Sequence, residues 1–197
     1  MKKILFFCCA IALFASCKSK TLVVMSKGAA EIDVAAKTIK AKDGAGHEET
    51  AVTLGGGSIV FKLNTPAGEA TVELKENGLY VVNVKNDTII GGYQQYSDPS
   101  VSQQVITQEK LKQQIDSLQL LSEGKNVSAA NRNFFILPNQ AVKVTDNTAA
   151  MIVGPYHRMR SAEKVDGKAP EVYRFYSIKE VREIIGKLQA LTVAPKE

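Results

Sequence analysis

Cysteine is almost absent from this 197-residue sequence, and its three copies all lie near the start, at Cys8, Cys9 and Cys17. A domain formed by the rest of the chain therefore has no disulfide to stabilise it. The same absence excludes thiolate metal sites and cysteine catalysis in that domain. Its stability must come from apolar packing, which a chain of this length can provide.

A large excess of one charge is also missing, and histidine is scarce. The chain carries a formal charge of +5, and loss of the first 16 residues with Lys2 and Lys3 would leave 23 basic against 20 acidic residues. This balance disfavours a nucleic-acid partner, because binding to phosphate backbones requires many Lys and Arg contacts. The two histidines, His47 and His157, are far apart, and no metal-ligand spacing joins them.

Known catalytic motifs are missing as well. His47-Glu48 lacks the second histidine of a zinc-protease helix. Gly-Gly-Ser-Ile-Val at 56–60 lacks the final glycine of a nucleophile elbow, and the three glycines at 55–57 read as a turn before a strand. No spacing selects a pair of carboxylates for acid and base catalysis. We therefore predict that the protein is not an enzyme and has no cofactor.

The longest apolar run near the start is short. Ile4–Ala15 has 12 residues after the basic Lys2-Lys3, whereas a helix needs about 20 to cross the hydrocarbon core. An ordinary signal-peptidase site fits poorly, because cleavage after Ser16 would place the bulky Phe14 where a small residue is required. A third reading, a lipoprotein signal cut just before a cysteine, fits the segment better.

Phe14-Ala15-Ser16-Cys17 resembles the lipobox of bacterial lipoproteins, in which an apolar residue and two small residues precede an obligatory cysteine. The segment is similar in style to lipoproteins of Bacteroidetes, although Phe14 stands where leucine is usual. The resemblance implies that residues 1–16 are a removed signal peptide and that Cys17 carries a diacylglycerol and an N-acyl chain. Such chains anchor stably, since each buried methylene contributes about 0.8 kcal/mol.

The residues directly after Cys17 bear on location. Lys18, Ser19 and Lys20 depart from the acidic residues typical of surface-exported lipoproteins of that group, and no aspartate follows the cysteine. The resemblance therefore implies a cell-envelope protein in the outer membrane, facing the periplasm. Residues 17–20 are predicted to form a very short lipidated tether, in which Lys18 and Lys20 are solvated or contact anionic headgroups.

Alternating apolar residues predict an all-β region over residues 21–97. Predicted strands cover Thr21–Met25 and then 31–40, 51–54, 58–63, 70–74, 79–84 and 88–96. Around Asn77-Gly78 we predict a hairpin that pairs Leu74 with Tyr80, because this register gathers the apolar residues on one face.

Residues 101–193 form a predicted α+β region packed with the first as one unit. Amphipathic helices are predicted at Gln108–Glu123 and Ile178–Leu191, with strands at 133–137, 141–144, 150–153 and 171–176. Ser177 and Glu180 have the spacing of a capping box for the last helix. We therefore predict an α+β fold, a mostly antiparallel sheet or sandwich with two helices in the C-terminal half.

Possible ligand contacts are few. Tyr93 and Tyr96 could stack on a glycan, although an offset of three places them on opposite faces of a regular strand unless Gly91-Gly92 introduces a bulge or a close backbone approach. Core packing is the alternative for these tyrosines. His157, Arg158 and Arg160 form a basic cluster that suggests an anion site or, alternatively, a solvated loop. His47 is predicted to be solvated.

These observations favour a non-catalytic lipoprotein that binds or scaffolds a protein partner within the envelope. The partner would contact β edges or the exposed faces of the two helices, and the bilayer would be contacted through Cys17. A glycan- or peptidoglycan-binding module is the alternative. An enzyme acting on envelope material is a third hypothesis.

Overall fold

The computed structural model describes residues 19–94, 107–128, 130–155, 167 and 169–193. Within these ranges the chain forms the predicted α+β fold, with twelve strands and two helices. The strands are β1 Lys20–Ser26, β2 Ala30–Asp33, β3 Thr38–Ala41, β4 Glu48–Leu54, β5 Ile59–Thr65, β6 Gly68–Leu74, β7 Gly78–Asn83, β8 Ile89–Gln94, β9 Asn133–Ile136, β10 Gln140–Thr145, β11 Met151–Val153 and β12 Val172–Ser177. The helices are α1 Gln108–Ser122 and α2 Ile178–Val193.

The strands form three four-stranded sheets. The central sheet has the order β10-β7-β1-β4, the outer sheet β2-β3-β5-β6 and the helix-side sheet β11-β12-β8-β9. Pairing is mostly antiparallel, as predicted; the parallel pairs are β1 with β7, β3 with β5 and β11 with β12. Two of the sheets join strands from before residue 97 and after residue 101, since β10 pairs with β7 and β8 pairs with β9 and β12.

The sheets and helices are stacked in layers around three apolar cores. Leu22 and Val24 of β1 point into the core between the central and outer sheets. Val23 and Met25, from the same strand, point into the core between the central and helix-side sheets. A third core joins the helix-side sheet to α1 and α2. β1 and β7, the two middle strands of the central sheet, are covered on both faces and are buried along almost their whole length, whereas β5 and β6 alternate.

The predicted hairpin around Asn77-Gly78 is wrong. Leu74 pairs with Ile59 in the outer sheet, whereas Tyr80 pairs with Leu22 in the central sheet. Leu74 and Tyr80 nevertheless belong to the same core, which they enter from opposite sheets. Alternation correctly identified the buried faces, but it cannot distinguish two strands paired side by side from two strands packed face to face.

The stretch predicted as one strand at 31–40 is two strands joined by a tight turn. Asp33 Oδ1 accepts a hydrogen bond from the backbone N–H of Ala36 at 2.8 Å, and Lys37 has a φ of 55°. β2 and β3 then pair antiparallel, with Ile32 opposite Ile39. An Asp side chain bonded to the backbone further along is a turn signal that competes with strand propensity.

The two helices begin as the sequence predicts. Thr107 caps α1, and Gly124 follows its end with a φ of 70°. Ser177 N–H donates to Glu180 Oε2 at 2.7 Å and Glu180 N–H donates to Ser177 Oγ at 3.2 Å, which is the predicted capping box. Leu191, predicted on the buried face of α2, is instead 63% exposed.

Lys20 is part of the folded core and not of a solvated tether. It is the first residue of β1, its side chain is fully buried, and its Nζ donates to the carbonyl oxygen of Gly57 at 2.5 Å. Lys20 is therefore unavailable to lipid headgroups. The folded part of the chain begins closer to Cys17 than predicted, with only Lys18 and Ser19 between Cys17 and the first strand.

Candidate functional site

Only one of the predicted ligand-contact residues lies in the described part of the chain. Tyr93 is in β8, opposite Tyr173 of β12. The others lie outside the described residues, as does the predicted lipidation site; they are Tyr96, His157, Arg158, Arg160 and Cys17.

Tyr93 packs in a cluster of aromatic and charged side chains. Its ring contacts that of Tyr173 edge-to-face, with centroids 5.9 Å apart. The guanidinium of Arg132 lies 3.7 Å from the centre of the Tyr93 ring, a cation–π contact. The Arg132 side chain therefore covers the aromatic face that a bound sugar would use, and a glycan could stack there only by displacing it.

Arg132 also joins Tyr173 to Glu171. Its Nη2 donates to the Tyr173 hydroxyl at 2.8 Å and forms an ion pair with Glu171. The Tyr173 hydroxyl in turn donates to Glu171 Oε1 at 2.6 Å, and Asn147 Nδ2 donates to Glu171 Oε2 at 3.0 Å. We refer to Tyr93, Arg132, Glu171 and Tyr173 as the arginine–tyrosine cluster.

The backbone at Arg132 is unusual. Its φ of 53° lies in the left-handed region, which a non-glycine residue adopts at a cost. An isolated bridge between Ser128 and Asn133 closes the turn that contains Arg132. The local backbone preference of Arg132 does not favour this conformation. Contacts of the guanidinium with residues distant in the sequence therefore fix the position of the side chain.

The protonation states in this cluster are fixed at neutral pH. Burial alone would raise the pKa of Glu171, but hydrogen bonds from Tyr173, Asn147 and Thr145, together with the Arg132 charge, lower it. Burial and the bond to Glu171 raise the pKa of the Tyr173 hydroxyl. Glu171 is thus a carboxylate and Tyr173 a neutral donor. The arrangement suits binding of a polar ligand better than proton transfer.

An open groove of about 470 Å³ lies over the cluster. Arg132, Glu171 and Tyr173 form one part of its wall, and Lys143 and Asp146 form another. Lys143 donates to Asp146 Oδ1 at 2.7 Å and is also paired with Glu76; hydrogen bonds to both carboxylates raise its pKa.

A second polar cluster contains His47, whose prediction as a solvated residue is wrong. The His47 side chain is 9% exposed. Its Nε2 contacts Glu49 Oε1 at 2.8 Å, and its Nδ1 contacts Lys85 Nζ at 2.5 Å. With Nε2 protonated, Lys85 donates to His47, and His47 donates to Glu49. The three side chains form a continuous hydrogen-bonded chain.

Lys85 is the buried member of this second cluster. Only 4% of the residue is exposed. Its backbone N–H donates to Asn83 Oδ1 at 3.0 Å, and Asn83 Nδ2 donates to the carbonyl of Ile136 at 3.0 Å. These bonds fix Lys85 at the end of β7. Burial lowers the pKa of Lys85, and Asp87 and Glu180 partly offset that effect.

Replacing Lys85 with methionine is expected to change how stability depends on pH. Because the pKa of Lys85 is lower in the folded protein, the unfolded chain binds more protons between the folded value and its own value of about 10.4. Within that pH window, the contribution of Lys85 makes the free energy of unfolding increase as pH rises. Lys85→Met should remove that gain, as measured by urea unfolding from about pH 7 to about pH 10.

The control for this measurement is Lys187→Met, at an exposed position of α2. It should leave the pH dependence of unfolding as in the wild type. Identical pH profiles for the wild type and Lys85→Met would contradict the assignment of Lys85 as a buried amine.

Sequence reasoning missed most residues of both clusters. Arg132 and Glu171 are 39 positions apart, and Lys85 and His47 are 38 apart, so no local spacing connects them. Lys85 did carry one signal, since it directly follows the stretch predicted as a strand at 79–84. A lysine placed there either ends the strand in solvent or is buried with partners, and the sequence does not decide between these.

The described residues contain no group of three or more His, Cys, Asp or Glu side chains that could hold a metal ion. Neither α1 nor α2 is long and apolar enough to cross a membrane. Comparison of the chain with protein-family models, curated protein sequences and solved structures found no match in any of the three.

Proposed function

We propose that this protein is a lipid-anchored, non-catalytic envelope protein that binds an extended segment of a protein partner along the edge of β4. The observation that supports this most is the open edge of β4 in the central sheet. Among the described strands, none pairs with its outer side. An open edge offers a row of backbone donors and acceptors, which is how β-strand addition provides affinity.

The other sheet edges are shorter or better protected. β2 and β9 have four residues each and β11 has three. β10 carries Lys143 and a register shift between Lys143 and Thr145. β6 has seven residues, but it packs beside β10. Lysine, irregular register and short length are the devices by which proteins prevent pairing at an edge.

β4 lacks these devices. It has seven residues in unbroken register with β1, from Glu48 to Leu54, and it contains neither lysine nor proline. Ala51 and Thr53 are small, exposed side chains on its uncovered face. Glu48 is exposed and has no ion pair among the described residues, so a partner segment with a basic residue near that end would be favoured.

The membrane anchor and the β4 edge support each other as a binding device. Lys20, which begins the strand adjacent to β4, is fully buried and pairs with Leu54. With two residues between it and Cys17, the edge would be held within a short distance of the bilayer surface. An anchored edge of this kind suits partners that are also in the envelope.

Thr53→Lys is expected to weaken partner binding about ten-fold, because a lysine opposite the incoming strand hinders edge pairing. A photo-crosslinking residue at Ala51 of the full-length protein in its native membranes measures this as the yield of the crosslinked partner. Thr71→Lys is the matched control, since Thr71 is an exposed threonine of another edge strand, β6. The control should leave the yield unchanged.

Two results would contradict the proposal. Equal yields in Thr53→Lys and the wild type, in proteins that melt alike, would show that the edge of β4 is not the contact. A crosslinked product of twice the chain mass and no other would show self-association in place of partner binding. Both threonines are exposed, so neither change is expected to alter stability by more than about 0.5 kcal/mol.

A further inference from the structure

We propose that the groove over the arginine–tyrosine cluster binds the zwitterionic headgroup of a phospholipid in the membrane to which the chain is anchored. The inference rests on the lipid anchor at Cys17 proposed above. The proposed ligand of the groove is separate from the protein partner at the β4 edge and from the lipid attached to Cys17.

The groove lies at the end of the molecule where β1 begins. The carbonyl of Ser19 accepts a hydrogen bond from the N–H of Gly78 at 3.3 Å. Gly78 is so close to the groove wall that a Cβ there would lie 2.4 Å from the carbonyl oxygen of Thr145 and 2.9 Å from Cε of Lys143. The first described residue of the chain is therefore joined to the groove through a single glycine.

A second contact fixes the same end of the groove. Thr21 Oγ1 donates to the carbonyl of Thr148 at 3.2 Å, and the loop between β10 and β11 also supplies Asn147, which donates to Glu171. β1, this loop and the cluster thus form one connected unit. Its position relative to Ser19 is set by the fold and not by a flexible linker.

The tether limits how far this unit can lie from the bilayer. Two residues from Cys17 to Ser19 span at most about 7 Å. The headgroup layer on each side of the hydrocarbon is roughly 5 to 7 Å thick. With the acyl chains of Cys17 in the hydrocarbon, Lys143 and Asp146 beside Gly78 lie at the level of the headgroups or directly above them.

The charges in the groove select a ligand that carries both signs. Arg132 and Lys143 are cations, and Glu171, Asp146 and Glu76, which pairs with Lys143, are carboxylates, so these five groups sum to −1. A purely anionic headgroup gains little beside a wall that has no net positive charge. A phosphate linked to an ammonium can accept from Arg132 and Lys143 while its cation lies against Asp146, which is 92% exposed at the rim.

The tyrosines hold Arg132 at the groove. Tyr173 is buried and bonds the guanidinium through its hydroxyl, and the Tyr93 ring lies under the guanidinium. Arg132 bonds Tyr173 and Glu171 through its Nε and Nη2. Its third nitrogen, Nη1, makes no hydrogen bond within the described part of the chain. The guanidinium can therefore bind a phosphate oxygen without breaking its existing bonds.

The test uses the full-length lipidated protein in vesicles of equal parts phosphatidylethanolamine and phosphatidylglycerol. A photo-crosslinking residue at Ala130, an exposed residue of the groove wall, captures neighbouring lipids for mass spectrometry. We expect about five-fold more ethanolamine-lipid than glycerol-lipid adducts, and a ratio near one in Arg132→Gln. Lys143→Gln, a change at the rim, should lower the ratio in the same direction. Arg182→Gln, at an exposed position of α2, should leave it unchanged.

Each remaining result contradicts the inference in a distinguishable way. A ratio near one in the wild type, in protein that carries palmitate, overturns the headgroup site alone. Protein without palmitate overturns the anchor and the headgroup site together. If dissolved phosphoethanolamine at the same total concentration abolishes the ethanolamine-lipid adduct, the groove is a site for a soluble molecule and the membrane assignment is wrong.

Discussion

Replacing Cys17 with alanine is expected to abolish palmitate labelling and to prevent stable anchoring of the mature domain in membranes. The sulfur of the Cys17 thiol is the atom that would carry the diacylglycerol. Each methylene lost from the bilayer removes about 0.8 kcal/mol of binding, so loss of the chains is enough to detach a domain with a short tether. Metabolic labelling with palmitate and fractionation of cell extracts measure both effects.

Cys9→Ala is the matched control, because Cys9 lies inside the apolar run of the predicted signal. This variant should be labelled and fractionate as the wild type does. A Cys17→Ala protein that keeps its palmitate label and remains fully membrane-bound would refute the anchor.

Gly91→Ala is expected to destabilise the fold strongly. A Cβ at Gly91 would lie 2.3 Å from Cδ1 of Phe175 and 2.6 Å from the carbonyl oxygen of Arg174. Phe175 is fully buried, and Arg174 belongs to the neighbouring strand, so neither atom can move without disturbing the helix-side sheet. We expect a loss of about 3 kcal/mol, the upper part of the range for overpacking. The melting temperature should fall by roughly 8 °C for a domain of this size.

Gly186→Ala provides the opposite result from the same chemical change. A Cβ at Gly186 has no atom within 4 Å, and the residue lies in the interior of α2. Alanine should therefore stabilise the helix, by about 0.5 to 1 kcal/mol. If thermal unfolding showed Gly91→Ala as stable as the wild type, the close approach between β8 and β12 would be incorrect.

Gly91-Gly92 shows which structural features the sequence could predict and which it could not. Two glycines within a strand predicted either a bulge or a close backbone approach. The structure shows the approach, and the register between β8 and β12 is unbroken at both residues. The pattern could indicate that space was required, but the neighbour that requires it, Phe175, is 84 positions away in the sequence.

The candidate sites also combine residues that the sequence could identify with residues that only the fold brings together. Tyr93 could be selected from the sequence because it is an aromatic residue beside glycines. Its partner Arg132, whose guanidinium covers the ring, could not be selected, since its turn is brought to β8 by the sheet. The open edge of β4 could not be predicted from the sequence either, because whether a strand lies at an edge depends on how the other strands pair.

The sequence by itself determined the local features of this protein. The capping box at Ser177 and Glu180, the helix over Gln108–Ser122 and the alternating faces of β5 and β6 depend on residues within a few positions of one another. Short-range hydrogen bonds and side-chain periodicity are sufficient to specify them.

Only the tertiary structure decided which faces meet. It placed Leu74 and Tyr80 in different sheets, buried Lys20 and His47, and brought the arginine–tyrosine cluster to the end where β1 begins. The physical reason is that apolar burial is non-directional, so a strand gains similar free energy beside a partner or across a core from it. The choice between these arrangements depends on contacts between residues distant in the sequence.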